Sequence, residues 1–131
     1  ETGTESMFSI AHGVAAALLY GKAGPVQFSD DAVRDPQIKE LRRRTEVIPD
    51  PQCGAGQAKI IVQTRQRGVL TAEVPIQKGY ADNPLTDDDV REKFLTLAEP
   101  ALGSTRAHQA ADLVYRIETL DDGGELARLC A

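Results

Sequence analysis

Ser9 and His12 stand three residues apart where the turn-prone run Thr2-Gly3-Thr4-Glu5-Ser6-Met7-Phe8 gives way to the small-residue sequence Ile10-Ala11-His12-Gly13-Val14-Ala15-Ala16-Ala17-Leu18-Leu19-Tyr20. An imidazole takes or gives a proton near neutral pH, so His12 is the candidate catalytic acid or base. In the first turn of a helix, the positive end of the dipole favours its neutral form. The competing reading is a histidine hydrogen-bonded in the core or at a domain boundary. Ser9 is expected to cap the helix, its hydroxyl accepting from one of the first backbone amides. That role is compatible with a second one, because the free amides and the dipole favour a carboxylate or phosphate placed just before Ser9. Ser9 and His12 are therefore the candidate substrate-binding pair. Neither a G-x-S-x-G elbow nor an adjacent base marks Ser9 as a nucleophile.

The other polar residues invite blander readings. Asp87-Asp88-Asp89 has the charge of a metal cluster, but helix-capping geometry explains all three carboxylates. Cys53, Cys130, His12 and His108 lack metal spacing, so no metal site is predicted and two free thiols are expected. The glycines of Gln52-Cys53-Gly54-Ala55-Gly56 lack the further residues of a phosphate-cradling loop. Arg42-Arg43-Arg44 reads as a solvated helix end or a source of inter-domain ion pairs. A net charge of −5 and a pI near 5.0 disfavour nucleic acid and acidic membrane surfaces as partners. No apolar run nears the ~20 residues of a membrane span, and no leader pattern is visible, so a cytoplasmic home is the expectation.

The elements that must position Ser9 and His12 follow from caps and periodicity. A helix over 10–20 is predicted, with Ser9 as its cap, Gly21 closing it in the left-handed conformation, and alanines that suit a central, buried element. Ser29-Asp30-Asp31 and Asp35-Pro36 start two short helices, 30–34 and 36–44, which bury Val33, Ile38 and Leu41. Residues 45–48 read as a strand stopped by Pro49 and Pro51. Alternation over 58–65 and 69–76 predicts a hairpin with Leu70, Ala72, Val74 and Ile76 facing inward. Thr86 and Asp89 form a capping box for a helix over 87–99 ended by Pro100 and Gly103. Ser104 is expected to cap the next helix, to about residue 120, with a last turn or two over 125–129. Strands and helices are segregated, so the class is α+β: a small antiparallel sheet of about three strands with helices packed on one face, in a single domain spanning 1–131.

The motif T-G-x-E-x-x-F-S-I-x-H followed by V-A-A-A-L-L-x-G resembles the opening of the C-terminal domain of the MmgE/PrpD family. The resemblance continues through Phe28-Ser29, Asp35-Pro36-Gln37-Ile38 and Asn83-Pro84-Leu85-Thr86-Asp87-Asp88-Asp89-Val90-Arg91-Glu92-Lys93-Phe94. That family includes 2-methylcitrate dehydratases, cis-aconitate decarboxylases and iminodisuccinate epimerases. The resemblance implies action on small di- or tricarboxylates with no metal and no cofactor, in a cleft between this domain and an N-terminal helical domain of the same protein that carries most of the catalytic acids and bases. A homodimer is expected. Ser9 and His12 match positions at the start of the helix lining the cleft. The position of Met7 is commonly basic in the family, and decarboxylase-like members place a histidine where this chain has Phe8; neither residue is carried over. The expectation is thus the C-terminal domain of a lyase or isomerase, 2-methylcitrate dehydratase-like first, silent by itself. The rival is an interaction or oligomerisation module retaining the fold without the chemistry. Without the helical partner, an apolar face around Val14, Ala17 and Leu18 should lie bare.

Overall fold

Reciprocal bonds between Thr2 and Glu5 open the chain: the Glu5 amide donates to the Thr2 hydroxyl at 3.3 Å and the Thr2 amide to the Glu5 carboxylate at 2.7 Å. This capping box starts α1 (Gly3–Ser6), a turn of helix that the sequence reading passed over although Thr-x-x-Glu is its ordinary signal. The computed structural model describes residues 2–131. Contacts divide the chain into two compact units, one running to Pro51 and the other from Gln52 to Ala131.

In the first unit, α2 (Ile10–Tyr20) is bounded as predicted, with the Ser9 hydroxyl accepting from the His12 amide at 3.2 Å and Gly21 at φ 72°. A 3-10 turn (Pro25–Phe28) leads into α3 (Asp30–Arg34), capped by Ser29, and α4 (Pro36–Arg43), capped by Asp35. Ala15, Ala16 and Ile38 are fully buried together, with Leu19 and Leu41 packed on them. Alanines at those two places let α4 approach α2 closely enough for the Ile38 side chain to fill the space between. The expectation of a centrally buried α2 needs correction, however. Its His12–Ala15–Ala16 side is buried, whereas Ile10, Ala17, Leu18 and Tyr20 are exposed, because the unit supplies elements for one flank only.

Residues 45–48, expected as a strand, are irregular, and Ile48 is 74% exposed. A strand exists only where another backbone completes its ladder; the first unit is otherwise helical, and Pro49 and Pro51 remove two donors next to the segment. Among the described residues the sheet therefore has two strands, not three.

The second unit begins with that hairpin, β1 (Ala58–Thr64) antiparallel to β2 (Gly68–Val74). Its turn closes with Gly68 at φ 68° and the Arg67 amide donating to the Thr64 hydroxyl at 2.9 Å. The register Ala58–Val74, Ile60–Ala72, Val62–Leu70 assembles an apolar face, while Lys59 and Glu73 pair at 2.7 Å on the other. The inward set expected at Leu70, Ala72 and Val74 is nevertheless exposed, so the face assigned to packed helices is left uncovered within the second unit.

Helix α5 (Asp87–Leu102) starts at the predicted Thr86–Asp89 box but continues through Pro100 to Gly103. Proline there forfeits only the bond to the Thr96 carbonyl, which sits on an exposed turn where water can replace it. Gly103, at φ 77°, is the single residue between α5 and α6 (Ser104–Tyr115), so it takes the cap position expected of Ser104. The Ser104 hydroxyl instead donates to Glu99 at 3.1 Å. Helix α6 ends at Tyr115, short of residue 120, and gives way to a 3-10 turn (Ile117–Thr119) before α7 (Gly124–Cys130). Arg91 to Asp112 at 2.7 Å ties α5 to α6, and the Arg106 guanidinium, donating to the Leu129 carbonyl at 2.9 Å, ties α6 to α7.

The Asp89 carboxylate carries a pH prediction. Hydrogen bonds from the Lys78 ammonium, the Thr86 hydroxyl and the Thr86 amide lower its pKa from 3.8 to about 2. A lowered folded-state value means that its contribution is fully present above the unfolded value and is lost as pH falls through the folded one. Acid unfolding of the second unit is therefore expected to draw on Asp89 between about pH 3.8 and 2, and Asp89→Asn should flatten that part of the profile. Circular dichroism across that range is the check; an unchanged profile would contradict the assignment.

Candidate functional site

The site read from the sequence is the first turn of α2, and both of its residues are there, but they face different ways. Ser9 is half-buried at the lip, with its hydroxyl engaged by the His12 amide and its carbonyl by the Gly13 amide at 3.1 Å. The amides of Ile10 and Ala11 precede the first turn's intrahelical acceptors and are the donors free to meet a ligand. Around them the surface is apolar and open: Phe8 is 88% exposed, and Met7 and Ile10 are also exposed.

His12 is fully buried. Its Nε2 lies 2.7 Å from the Gln27 carbonyl oxygen, its ring is tilted 48° against Phe28 at 5.1 Å between centroids, and its Nδ1 is buried with no partner among the described residues. A carbonyl oxygen only accepts, so Nε2 bears the hydrogen and Nδ1 is the bare acceptor. Gln27, which the sequence reading missed, is itself buried, and its side-chain oxygen accepts from the Gly24 amide at 3.1 Å. No periodicity betrays a buried glutamine in a proline-led turn; only its proximity to His12 reveals it.

Other charged groups are tied up locally. Tyr20 donates to Asp35 at 2.9 Å, which raises the phenol's pKa, and the Gln37 amide, with Tyr20 helping, lowers that of Asp35. Glu40 pairs with Arg43 at 2.7 Å. Cys53 and Cys130 are free and exposed, and His108 lies on the surface with its Nδ1 hydrogen directed at the Ser104 carbonyl. Among the described residues, no helix is long and apolar enough to cross a membrane.

Residues 1–119 match the sequence model of the MmgE/PrpD C-terminal domain. The chain belongs to the MmgE/PrpD family. Among its relatives is the cis-aconitate decarboxylase-like protein oryM of Aspergillus oryzae, 30% identical over 98% of this chain and 27% of that protein. Mouse cis-aconitate decarboxylase is 26% identical over 95% of this chain and 26% of its own length. This MmgE/PrpD chain thus spans about a quarter of the length of these relatives. The match runs through both compact units, so the family's domain includes the hairpin and α5 as well as the α2 site. Both relatives carry decarboxylase names, and a decarboxylase is a lyase.

Helix α2 carries an apolar stripe on its exposed side. Ile10, Ala17 and Leu18 are exposed and Val14 half-buried at spacings that share one side of a helix. The isolated chain is therefore expected to self-associate, with Leu18→Glu shifting it toward monomer. Sedimentation velocity that finds a monomer at high concentration would refute this.

Proposed function

We propose that this chain forms one wall of a carboxylate-binding cleft in an MmgE/PrpD lyase or isomerase acting on small di- or tricarboxylates, and that it does not turn over substrate alone. The observation that carries the reading is the match of residues 1–119 to the family's C-terminal domain, in a chain only about a quarter as long as relatives named as decarboxylases. The geometry supports it. The Ser9 lip and the amides of Ile10 and Ala11 hold one substrate carboxylate at the positive end of α2, with His12 standing behind them. An N-terminal helical domain of the same protein covers the bare stripe of α2 and supplies the base. Abstraction of a proton next to a carboxylate builds negative charge, which the helix amides and cationic groups across the cleft stabilise. The chain works in the cytoplasm, as part of a homodimer, without cofactor.

Dehydration of 2-methylcitrate, in propionate metabolism, is the first reading and rests on the family resemblance. Decarboxylation of cis-aconitate is the second, favoured by the names of both relatives; Met7 and Phe8 weigh against it. A module retaining the fold without chemistry is the remaining alternative. The test assays the isolated chain, and the protein joining it to its helical domain, on 2-methylcitrate, cis-aconitate and iminodisuccinate. The longer protein is expected to consume one of them and the isolated chain none. Turnover by the isolated chain, or a folded longer protein inert toward all three, would overturn the proposal.

A further inference from the structure

We infer that His12 is a positioning residue, an Nε2–H imidazole strut that holds the first turn of α2 against the Gln27–Phe28 turn, and not the group that moves the substrate's proton. The catalytic half of this inference rests on the proposed function; the structural half does not.

The Gln27 carbonyl, 2.7 Å from Nε2, commits that nitrogen to donating. Proton abstraction would fall to Nδ1. A general base must come within hydrogen-bond reach of the proton it takes, directly or through one water. Nδ1 is enclosed, in a residue with no exposed surface, beside the Phe28 ring. A leucine in its place would avoid a bare buried nitrogen, so what the imidazole contributes is its other end.

That end joins three segments. Gln27 is fastened to Gly24 by its own amide, which donates to the Gly24 carbonyl at 2.9 Å, and by its side chain. The Phe28 carbonyl that follows presses on Gly3, whose amide donates to Asp30 at 2.6 Å, and the Ser9 amide donates to the Ser6 carbonyl at 3.0 Å. The imidazole closes this circuit of α1, the 25–28 turn and the start of α2. The orientation of Ser9 and of the Ile10 and Ala11 amides is thereby set from behind.

Two substitutions separate strut from catalyst. The His12→Gln amide nitrogen stands at the same remove along the side chain as Nε2 and can donate to Gln27; that of His12→Asn falls short. Nitrogen-15 spectra of the chain are expected to show the Nε2–H tautomer. Hydrogen exchange at Gln27, Phe28 and the first turn of α2 should stay slow in His12→Gln and quicken in His12→Asn. In the longer protein, His12→Gln should keep kcat within about threefold, while His12→Asn raises KM about tenfold, the signature of lost binding geometry. An Nδ1–H tautomer, or a kcat for His12→Gln lower by about 10²–10⁴-fold as for a lost general base, would overturn the inference. If the longer protein turns over no carboxylate, the proposed function fails, yet the spectra and exchange still decide the strut. Should His12→Asn not fold, the tautomer and His12→Gln decide it.

Discussion

Replacing Ile38 by alanine is expected to cost the first unit about 2–5 kcal/mol, the range for deleting a fully buried aliphatic side chain. Ile38 has no exposed surface, and its neighbours in the core, Ala15 and Ala16, carry only methyl groups and cannot swing into the space it leaves. Leu19 and Leu41, partly buried at the edge, are the side chains able to collapse inward, and how far they do so sets the position within that range. Natural domains hold only about 5–15 kcal/mol in total, so this loss removes a large share of the first unit's stability. Ile38→Val, which removes one methyl group, should cost about 0.5–1.5 kcal/mol. Urea unfolding with hydrogen exchange at α2 and α4 reads both. Equal effects from the two variants would show that the core is not as close-packed as the structure makes it.

Gly3→Ala is the second large effect, and it comes from backbone, not from packing of side chains. A Cβ on Gly3 would lie 2.3 Å from the Phe28 carbonyl oxygen and 3.1 Å from the Asp30 nitrogen. Neither atom belongs to a flexible side chain, so α1 must move away from the start of α3 and the 2.6 Å bond from the Gly3 amide to Asp30 goes with it. Overpacking costs about 1–3 kcal/mol and occasionally more; with rigid backbone on the far side, about 3 kcal/mol is expected. Gly13 is the internal control. It lies in the middle of α2 with nothing within 4 Å of its missing Cβ, so Gly13→Ala should stabilise the helix by about 0.4–1 kcal/mol. Thermal unfolding of the two variants should move in opposite directions; a tolerated Gly3→Ala would refute the close approach.

Both experiments touch segments whose legibility differed. Ile38 was readable, because Asp35-Pro36 announces a helix start and the periodicity that follows names its buried side. The role of Gly3 was not readable: a glycine in a polar run looks like turn chemistry until Phe28, 25 residues on, is brought against it. His12 falls between them. Its place in the first turn of α2 followed from Ser9 and the alanines, but whether its ring would look into a cleft or into the protein depended on where the 25–28 turn settles. The third strand failed for a related reason. Thr45-Glu46-Val47-Ile48 has strand-forming residues, yet strand identity belongs to a pair of backbones, and among the described residues none of its own unit pairs with it as a strand.

The amino-acid sequence by itself determined where chain segments begin and end. Ser9, Ser29, Asp35 and Thr86 cap helices through bonds spanning two or three residues, Gly21 closes one through a conformation other residues avoid, and the 58–74 alternation sets a hairpin register; all are local interactions written in neighbouring letters. The run of short motifs along the chain likewise carried the family. Tertiary structure alone decided what those elements show to the outside: the His12 ring turned toward Gln27, Gly3 wedged beneath Phe28, and the stripe of Ile10, Ala17 and Leu18 left open. The physical reason is that a cap or a turn is satisfied by atoms a few residues away, whereas burial and the direction of a side chain are set by surfaces that meet only after distant segments pack.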